Sequence, residues 1–330
     1  MKIAINGMGR IGRAALKIIT DTPGLEVVAV NDIVPVENIA YLLRYDTVYG
    51  RWDKTVEVEE GALIVDGKRI VFASERNPED LPWAETGADL VIESTGVFTK
   101  QQDAERHLKA GVKTVVISAP SKSAETPTVV HGVNDIEGNV NVFSCASCTT
   151  NNISPVVEIL DRRIGIEKAI MTTVHAYTAS QEVVDGPSKK NPRMGRAAAQ
   201  NLVPTSTGAA IATTLALPEM AGKFDGVAIR TPIPVGSISD LTFVMKQEVT
   251  AEEINAIFMQ EAVTDRYKEV LAATFDPIVS SDIIQSTYAS TVDMSMTRVV
   301  GGDLLKVMTW YDNEWGFTCQ MIRQILEMKS

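Results

Sequence analysis

Short apolar runs alternate with helical stretches from the first residues of the chain. Lys2–Asn6 and Glu26–Asn31 are typical of strands, and the amphipathic stretch Arg10–Thr20 between them is typical of a helix. The same order of strand, helix and strand returns at 89–94, 102–110 and 113–118. Two strands joined in this way are parallel, because the helix carries the chain back to the end of the sheet where the first strand began. The first half is therefore predicted to be α/β, with a doubly wound parallel sheet.

A group of shorter strands interrupts this order. They are predicted at 55–59, 62–65 and 68–73. Asp66-Gly67 is the turn between the last two, because Asp-Gly is a preferred pair in two-residue hairpin loops. These strands are expected to be antiparallel.

The second half of the chain has a different spacing. A helix predicted at Thr149–Arg163 is followed by β-rich runs, most of which are too close in sequence for helical crossovers. The runs lie at 168–175, 227–231, 239–246, 291–300 and 304–311. They predict an α+β domain with a mainly antiparallel sheet. We therefore expect a first domain at 1–147 and a second at 148–313, with the amphipathic helix 314–330 packing back on the first.

Composition and charge argue against several classes of protein. Three cysteines are too few for a disulfide framework and indicate a reducing compartment. The net charge of −11 argues against general nucleic-acid binding, which needs a basic patch. No apolar run approaches the roughly 18 residues of a membrane span, and the chain enters a strand at once, so no leader is expected. A cytoplasmic enzyme of small molecules is predicted, with neither nucleic acid nor membrane as a partner.

The first predicted turn carries the glycine pattern of a dinucleotide site. Gly7, Gly9 and Gly12 fit G-x-G-x-x-G, directly after a strand and at the start of a helix. They permit a tight turn, a close approach of backbone to a pyrophosphate, and packing of the helix, whose first N–H groups hold the anion. Asp32, 20 residues after Gly12, is spaced to accept hydrogen bonds from ribose hydroxyls. No Arg or Lys lies at 31–36 to neutralise a 2′-phosphate, so NAD is favoured over NADP.

Cys148 is the candidate nucleophile, because it lies at the start of a predicted helix after the strand 141–144. The positive end of a helix favours a thiolate by about 0.3–1 kcal/mol, less than the roughly 1.4 kcal/mol of one pKa unit. A second cation is needed, and histidine is the usual one. His107 lies on a polar helix and is expected to be solvated, His131 has no evident partner, and His175 ends a strand before a long loop. Cys148 and His175 are the predicted pair; a buried thiol and an unrelated structural histidine remain the alternative.

Other residues have the chemistry of anion sites. Thr205–Gly208 precedes a helical run at 209–217, so its hydroxyls and N–H groups either bind an anion or serve as ordinary caps. Arg196 and Arg230 carry forked guanidinium groups that suit phosphate, with a solvated or salt-bridged role as the alternative. Thr178 follows the candidate base closely enough to place a hydroxyl near the reacting centre.

Several sequence stretches follow one another in the order of one enzyme family. They are INGMGRIGR (5–13), ND (31–32), ESTGVF (93–98), ASCTTN (146–151), TTVHAYT (172–178), RAAAQN (196–201), PTSTGAA (204–210) and WYDNEWG (310–316). On these motifs the chain resembles the phosphorylating glyceraldehyde-3-phosphate dehydrogenases over nearly its whole length. The resemblance implies an N-terminal Rossmann domain and NAD-dependent oxidation of D-glyceraldehyde 3-phosphate to 1,3-bisphosphoglycerate, with inorganic phosphate as the acceptor.

The resemblance also implies roles for single residues. Cys148 would be the nucleophile, His175 the base, and Thr178 and Arg230 the ligands of the substrate phosphate. Inorganic phosphate would contact Ser147, Thr149, Arg196, Thr207 and Gly208. NAD would contact Gly7, Gly9, Arg10, Ile11, Gly12, Asp32, Arg76, Thr95, Ser118 and Asn313. Members of the family are homotetramers in which the 178–200 loop lies near a neighbour's cofactor, and Pro187 matches the NAD-preferring members. No metal is implied.

Three positions depart from the family pattern: Cys145 stands where Asn is usual, Asn152 where Cys is common, and Ile211 where Lys is common. An extended segment from Cys145 to Cys148 would span about 10 Å, beyond the roughly 7 Å Cα limit of a disulfide, so a small buried residue is expected at 145. Two other functions compete with the assignment. They are an erythrose-4-phosphate dehydrogenase, which hydrolyses its thioester, and a non-catalytic NAD-binding protein. Thr178 and Thr207-Gly208 favour the phosphorylating enzyme.

Overall fold

The computed structural model describes residues 1–136, 138, 140–188 and 191–328, which form two compact units. Unit 1 comprises Met1–Val129, Asp135–Ala146 and Met321–Ser330, and unit 2 comprises Val130–Asn134 and Ser147–Gln320. Residues 189 and 190 of the 178–200 loop and residues 329 and 330 of the predicted C-terminal helix lie outside the described residues. No helix of the described ranges is long and apolar enough to cross a membrane.

Unit 1 is built on one twisted sheet. Its elements are β1 (Lys2–Asn6), α1 (Arg10–Thr20), β2 (Glu26–Asn31), α2 (Val36–Arg44), β3 (Tyr45–Asp46), β4 (Gly50–Arg51), β5 (Val56–Glu59), β6 (Ala62–Val65), β7 (Lys68–Ala73), α3 (Trp83–Thr86), β8 (Leu90–Glu93), α4 (Gln101–Ala104), α5 (Arg106–Lys109), β9 (Thr114–Ile117) and β10 (Val142–Ser144). The strand order of this sheet is β10-β9-β8-β1-β2-β7-β6-β5, and β3 and β4 form a separate two-stranded sheet. All neighbours from β10 to β7 are parallel, and β6 and β5 add antiparallel strands. This confirms the predicted Rossmann-type sheet.

The strand order places a crevice at the carboxyl ends of β1 and β8. From β1 the chain passes first to β2 on one side and later to β8 on the other, and ligands of such sheets bind where the direction reverses. Ile3, Ala4 and Ile5 of β1 are fully buried, because helices cover both faces of a parallel sheet. The predicted hairpin is also present: Asp66 and Gly67 both have positive φ, and Val65 pairs with Lys68.

Unit 2 contains a second, mainly antiparallel sheet, as predicted. Its elements are α6 (Cys148–Arg163), β11 (Ile166–Ala176), β12 (Val203–Ser206), α7 (Ala209–Ala216), β13 (Phe224–Thr231), β14 (Ser237–Met245), α8 (Ala251–Glu261), β15 (Leu271–Thr274), β16 (Ser290–Asp293), β17 (Arg298–Val300) and β18 (Leu304–Tyr311), after which α9 (Trp315–Glu327) begins. The strand order is β12-β13-β11-β14-β18-β16-β15, with β17 on β18. Among the described strands of this second sheet, only β11 with β13 and β15 with β16 pair in parallel.

Two predicted elements differ from the structure. The run 291–300 is not one strand, because a 3-10 turn at Met294–Met296 separates β16 from β17. The helix predicted at 102–110 is divided into α4 and α5, and the Leu108 N–H bonds the Glu105 carbonyl three residues earlier, as in a tightened turn.

Candidate functional site

The crevice of unit 1 is a cavity of about 380 Å³. This volume lies within the range of small-molecule sites. Predicted cofactor residues that line it are Gly7, Gly9, Asp32, Arg76 and Thr95. The sequence therefore identified this cavity, although not all of its walls.

Gly7, Gly9 and Gly12 each suit their position for a different structural reason. Gly7 has a φ of +95°, and a Cβ there would lie 2.8 Å from the Thr95 nitrogen. A Cβ on Gly12 would lie 1.9 Å from the Gly7 carbonyl oxygen, so the start of α1 packs directly on the glycine turn. A Cβ on Gly9 would meet nothing within 4 Å, and no side chain caps α1 at that position. Open space before uncapped helix N–H groups fits a pyrophosphate.

Asp32 lines the cavity from the end of β2. Its Oδ2 accepts a hydrogen bond from the Met8 N–H at 2.7 Å, and its Oδ1 accepts one from the Val34 N–H at 3.0 Å. Each carboxylate oxygen has a second lone pair, so the fixed carboxylate can also accept from ribose hydroxyls. The residues present therefore fit NAD.

Other predicted cofactor residues have local partners. Arg10 forms an ion pair with Asp46 and lies over the Tyr49 ring at 5.2 Å. The Ser118 hydroxyl donates to the Glu93 carbonyl at 3.0 Å, and Ile11 is half-buried in α1. Asn313 belongs to unit 2, where its Oδ1 accepts from the Gly236 N–H and the Ser237 hydroxyl at 3.2 and 3.1 Å.

The expectation that His107 is solvated is wrong. Its side chain is fully buried, with Nε2 3.0 Å from Glu93 and Nδ1 3.0 Å from the Trp83 indole nitrogen. Charged neighbours in sequence misled the prediction, because partners 14 and 24 residues away decide the burial. Sequence reasoning also passed over Asn6 and Asn31, which line the cavity. Their position as the last residue of a predicted strand was the available signal.

Cys148 is the first residue of α6 in unit 2. Ser147 precedes it as the helix cap, and its hydroxyl accepts from the Thr150 N–H at 3.0 Å. Ala146 has a φ of +59°, so the segment from Cys145 to Cys148 is not extended as the distance argument assumed. Both cysteines are nevertheless thiols without a disulfide.

His175 lies opposite the nucleophile, near the end of β11. Its Nε2 is 3.5 Å from the Cys148 sulfur, so the predicted pair is in contact. The parallel register pairs His175 with Arg230 of β13, which brings the guanidinium Nη1 to 2.7 Å from the imidazole Nδ1. The Arg230 Nε is buried and has no hydrogen-bond partner among the described residues. Such an orphaned donor fits an anionic ligand.

His175 Nδ1 can either donate a hydrogen bond or accept one, depending on which ring nitrogen carries the proton. When Nδ1 carries the proton, it donates to the Ala176 carbonyl at 2.6 Å, and Nε2 offers a lone pair to the thiol. Arg230 then donates to the same carbonyl at 3.2 Å. When Nε2 carries the proton, it points at sulfur and Nδ1 accepts from Arg230. His175 is therefore placed to move a proton to or from the sulfur.

Burial dominates the electrostatics of this pair. Burial raises the pKa of the Cys148 thiol, and the Arg230 guanidinium and the first N–H groups of α6 only partly oppose it. Burial, reinforced by Arg230, lowers the pKa of His175 to about 3. Both shifts favour the neutral thiol and the neutral imidazole. This opposes the sequence-based expectation of a thiolate, because burial outweighs the positive end of the helix.

The remaining predicted substrate residues lie in several local settings. Thr149 is buried, and its hydroxyl is 2.9 Å from that of Tyr311, whose ring is nearly perpendicular to that of His175 at a centroid distance of 5.9 Å. The Thr178 hydroxyl bonds that of Ser180 at 2.9 Å. Arg196 is exposed in an ion pair with Asp185, and Thr207 accepts from the Ala209 N–H just before α7, whose cap is Gly208. The structure thus brings Cys148, His175 and Arg230 together and leaves the other roles as predictions.

The three residues that depart from the family pattern lie in different environments. Cys145 is buried, and burial raises the pKa of its thiol to about 12, which suits the small buried residue expected there. Asn152 is fully buried, and its Nδ2 donates to the Thr309 hydroxyl and the Trp310 carbonyl. Ile211 is 65% exposed on α7. No cluster of three or more metal-ligating side chains occurs among the described residues.

Comparison with known proteins identifies both halves of the chain. The family described as glyceraldehyde 3-phosphate dehydrogenase, NAD binding domain, matches residues 1–101. The corresponding C-terminal domain matches residues 147–313. Proteins named glyceraldehyde-3-phosphate dehydrogenase are 47% identical in Clostridium acetobutylicum, covering 98% of this chain and 97% of that one, and 48% identical in Streptomyces coelicolor, covering 98% and 96%. The protein of that name from Geobacillus stearothermophilus is 46% identical, with coverage of 98% and 96%.

Proposed function

Because the chain belongs to the glyceraldehyde-3-phosphate dehydrogenase family, an NAD-dependent group of oxidoreductases, we propose that it converts D-glyceraldehyde 3-phosphate to 1,3-bisphosphoglycerate. Inorganic phosphate is the second substrate. The observation that carries the proposal is the contact of 3.5 Å between the Cys148 sulfur and His175 Nε2, with Arg230 beside them. A nucleophile, a base and an anion ligand are the groups that this chemistry needs.

Cys148 begins the reaction by attacking the aldehyde carbon. His175 Nε2 accepts the thiol proton as the bond between sulfur and carbon forms, and delivers it to the aldehyde oxygen. Attack by a thiol with simultaneous proton transfer suits a buried neutral pair, because neither an isolated thiolate nor an isolated imidazolium has to form. The product is a thiohemiacetal on Cys148.

Oxidation then yields the thioester. NAD, when bound, supplies the acceptor for the hydride that leaves the thiohemiacetal carbon. His175 takes the proton of the hydroxyl at the same time, so that the carbonyl of the thioester can form. The residues of unit 1 that would hold NAD are the glycine turn of Gly7 and Gly9, the start of α1, and Asp32.

Phosphate attack completes the cycle. The bond between carbon and sulfur breaks, the proton of the phosphate goes to the departing sulfur, and His175 releases its proton to solvent. One proton is therefore released for each aldehyde oxidised. The proposal assigns Thr178 and Arg230 to the substrate phosphate. It assigns the attacking phosphate to Ser147, Thr149, Arg196, Thr207 and Gly208.

We also infer a homotetramer in a cytoplasmic compartment. Apolar side chains exposed on unit 2 support contacts between subunits: Ile170 of β11 and Val227 of β13 are 60% and 49% exposed, and Val183 and Val184 are 80% and 72% exposed. The low cysteine content suits a reducing compartment. Sedimentation equilibrium of the purified chain tests the tetramer, and a monomer at micromolar concentration would refute it.

A steady-state assay tests the proposed reaction. NADH formation from glyceraldehyde 3-phosphate should require added inorganic phosphate and should fall by about 10⁴-fold or more in Cys148→Ser. Cys319→Ser is the matched control, since this thiol lies buried in α9 and has no part in the proposed chemistry. Turnover without phosphate would favour a hydrolytic enzyme of the erythrose-4-phosphate type. Activity that survives Cys148→Ser would exclude the thioester mechanism.

A further inference from the structure

A chain of buried polar side chains runs beneath the NAD crevice of unit 1. It consists of Trp83, His107, Glu93, Asn6 and Asn31, each no more than 4% exposed, and is called here the floor chain. Glu93, Asn6 and Asn31 are the last residues of the neighbouring strands β8, β1 and β2. Neither Glu93 nor His107 lines the cavity. The catalytic mechanism uses neither of them.

The direction of each hydrogen bond in the floor chain is fixed by its first donor. The Trp83 indole N–H can only donate, and it lies 3.0 Å from His107 Nδ1. His107 therefore accepts at Nδ1, so its proton is on Nε2. That N–H donates to Glu93 Oε2 at 3.0 Å. The imidazole is thus held as one tautomer that can only donate to Glu93.

Glu93 joins the floor chain to a wall of the crevice. Its Oε2 also accepts from Asn6 Nδ2 at 2.6 Å. Its Oε1 accepts from the Thr95 N–H at 2.9 Å and from the Thr95 hydroxyl. Each carboxylate oxygen has two donors, so no further partner is needed. The buried Glu93 side chain therefore holds the end of β1 and the turn after β8 in fixed positions relative to each other.

The amides continue the chain to the opposite wall. Asn6 Oδ1 accepts from Asn31 Nδ2 at 2.7 Å. Asn31 Oδ1 accepts from the Glu75 N–H at 2.8 Å, and Asn31 Nδ2 donates to the Glu75 carbonyl at 2.9 Å. Asn6, Asn31, Glu75 and Thr95 all line the cavity. The floor chain therefore links loops on both sides of the crevice to the strand ends beneath it.

We propose that Glu93 and His107 are positioning residues for NAD, which act by holding the Thr95 turn against the glycine turn. The two backbones are in contact, because a Cβ on Gly7 would lie 2.8 Å from the Thr95 nitrogen. If Glu93 lost its charge, Thr95 and Asn6 would no longer share one acceptor, and the crevice would sample other widths. The apparent affinity for NAD would then fall in proportion to the fraction of time that the crevice spends in the shape that binds NAD. The proposal rests on the assignment of this cavity to NAD.

Calorimetric titration of the cofactor-free full chain with NAD⁺ tests the proposal. Glu93→Gln keeps the shape but turns an amide donor towards the donors of Asn6 and His107, and we expect the Kd for NAD⁺ to rise by about 10- to 100-fold. Val115→Ala is the matched control. Val115 is fully buried in β9 of the same sheet and belongs neither to the floor chain nor to the cavity lining, so its truncation should change Kd by no more than about threefold.

Two further measurements separate positioning from loss of structure. The rate at which iodoacetamide alkylates Cys148 without NAD⁺ should be the same in all variants, because that thiol belongs to unit 2. If Glu93→Gln does not fold, His107→Phe replaces it: Glu93 then loses one donor, and Kd should rise by about three- to tenfold. A folded variant of Glu93 or His107 with Kd within twofold of the wild type overturns the proposal. So does an equal rise in Val115→Ala. The phosphate-dependent assay of the wild type tests the proposed function separately.

Discussion

Gly12→Ala tests the packing of α1 on the glycine turn. The new Cβ would lie 1.9 Å from the Gly7 carbonyl oxygen, against about 3.5 Å for an ordinary contact, so the turn has to move by about 1.5 Å. Forced packing of this kind costs about 1–3 kcal/mol, and the better helix propensity of Ala returns about 1 kcal/mol. We expect the free energy of unfolding to fall by up to about 2 kcal/mol. The displaced turn should raise the Kd for NAD⁺ by about 10- to 100-fold.

Gly9→Ala is the matched control for this change. A Cβ there meets nothing within 4 Å, so the cofactor-free chain should keep its stability to within about 1 kcal/mol, the usual effect at a helix cap. The same methyl group points into the space assigned to the pyrophosphate, so NAD⁺ binding should still weaken. Urea unfolding and calorimetric titration measure the two effects. Wild-type stability and affinity in Gly12→Ala would refute the packing argument, as would a destabilised Gly9→Ala that binds NAD⁺ normally.

Three further predictions concern unit 2. Because burial lowers the pKa of His175 from 6.5 to about 3, the stability present above pH 6.5 is lost as the pH falls. We expect the free energy of unfolding, measured in urea, to fall by about 2 kcal/mol between about pH 6.5 and pH 5. It should depend less steeply on pH in His175→Asn, and an equal dependence in both proteins would contradict the argument. Tyr311→Phe removes the hydroxyl that lies 2.9 Å from that of Thr149 and 2.8 Å from that of Thr173, so thermal or urea unfolding should show a loss of about 1–3 kcal/mol. Unchanged stability would mean that the threonines find other partners. Arg230→Leu removes a cation that lowers the pKa of Cys148, so alkylation of this thiol by iodoacetamide near neutral pH should slow by about tenfold; an unchanged rate would count against that influence.

Patterns local in sequence predicted most of the fold. The bounds of β1, α1 and β2 agree with the structure, because each has a regular period and is bounded by turn residues. The glycine pattern also identified the cavity of unit 1, because the spacing of its glycines follows from contacts within one turn. The pairing of Cys148 with His175 rested on elimination among three histidines, and the contact is present.

Features that depend on distant partners could not be predicted in the same way. His107 is surrounded by charged residues in sequence but is buried by Trp83 and Glu93, which no local period reveals. The neutral state favoured for Cys148 follows from burial, and burial is a property of the folded chain. The break between β16 and β17 falls at Met294–Met296, directly after Asp293. Asp293 and Ser295 are residues that favour turns over strands, and this signal was outweighed by the β-branched residues on either side.

Ala146 has a consequence for how this sequence can diverge. Its φ of +59° is a conformation that costs an L-residue about 1–2 kcal/mol and that a branched side chain rarely adopts. Substitutions at this position should therefore be confined to Gly, Asn and other short residues. If all substitutions at Ala146 are tested for the yield of folded protein, most should lower that yield, although this residue has no assigned chemical role. At this point in the chain, backbone shape rather than reactivity would limit variation.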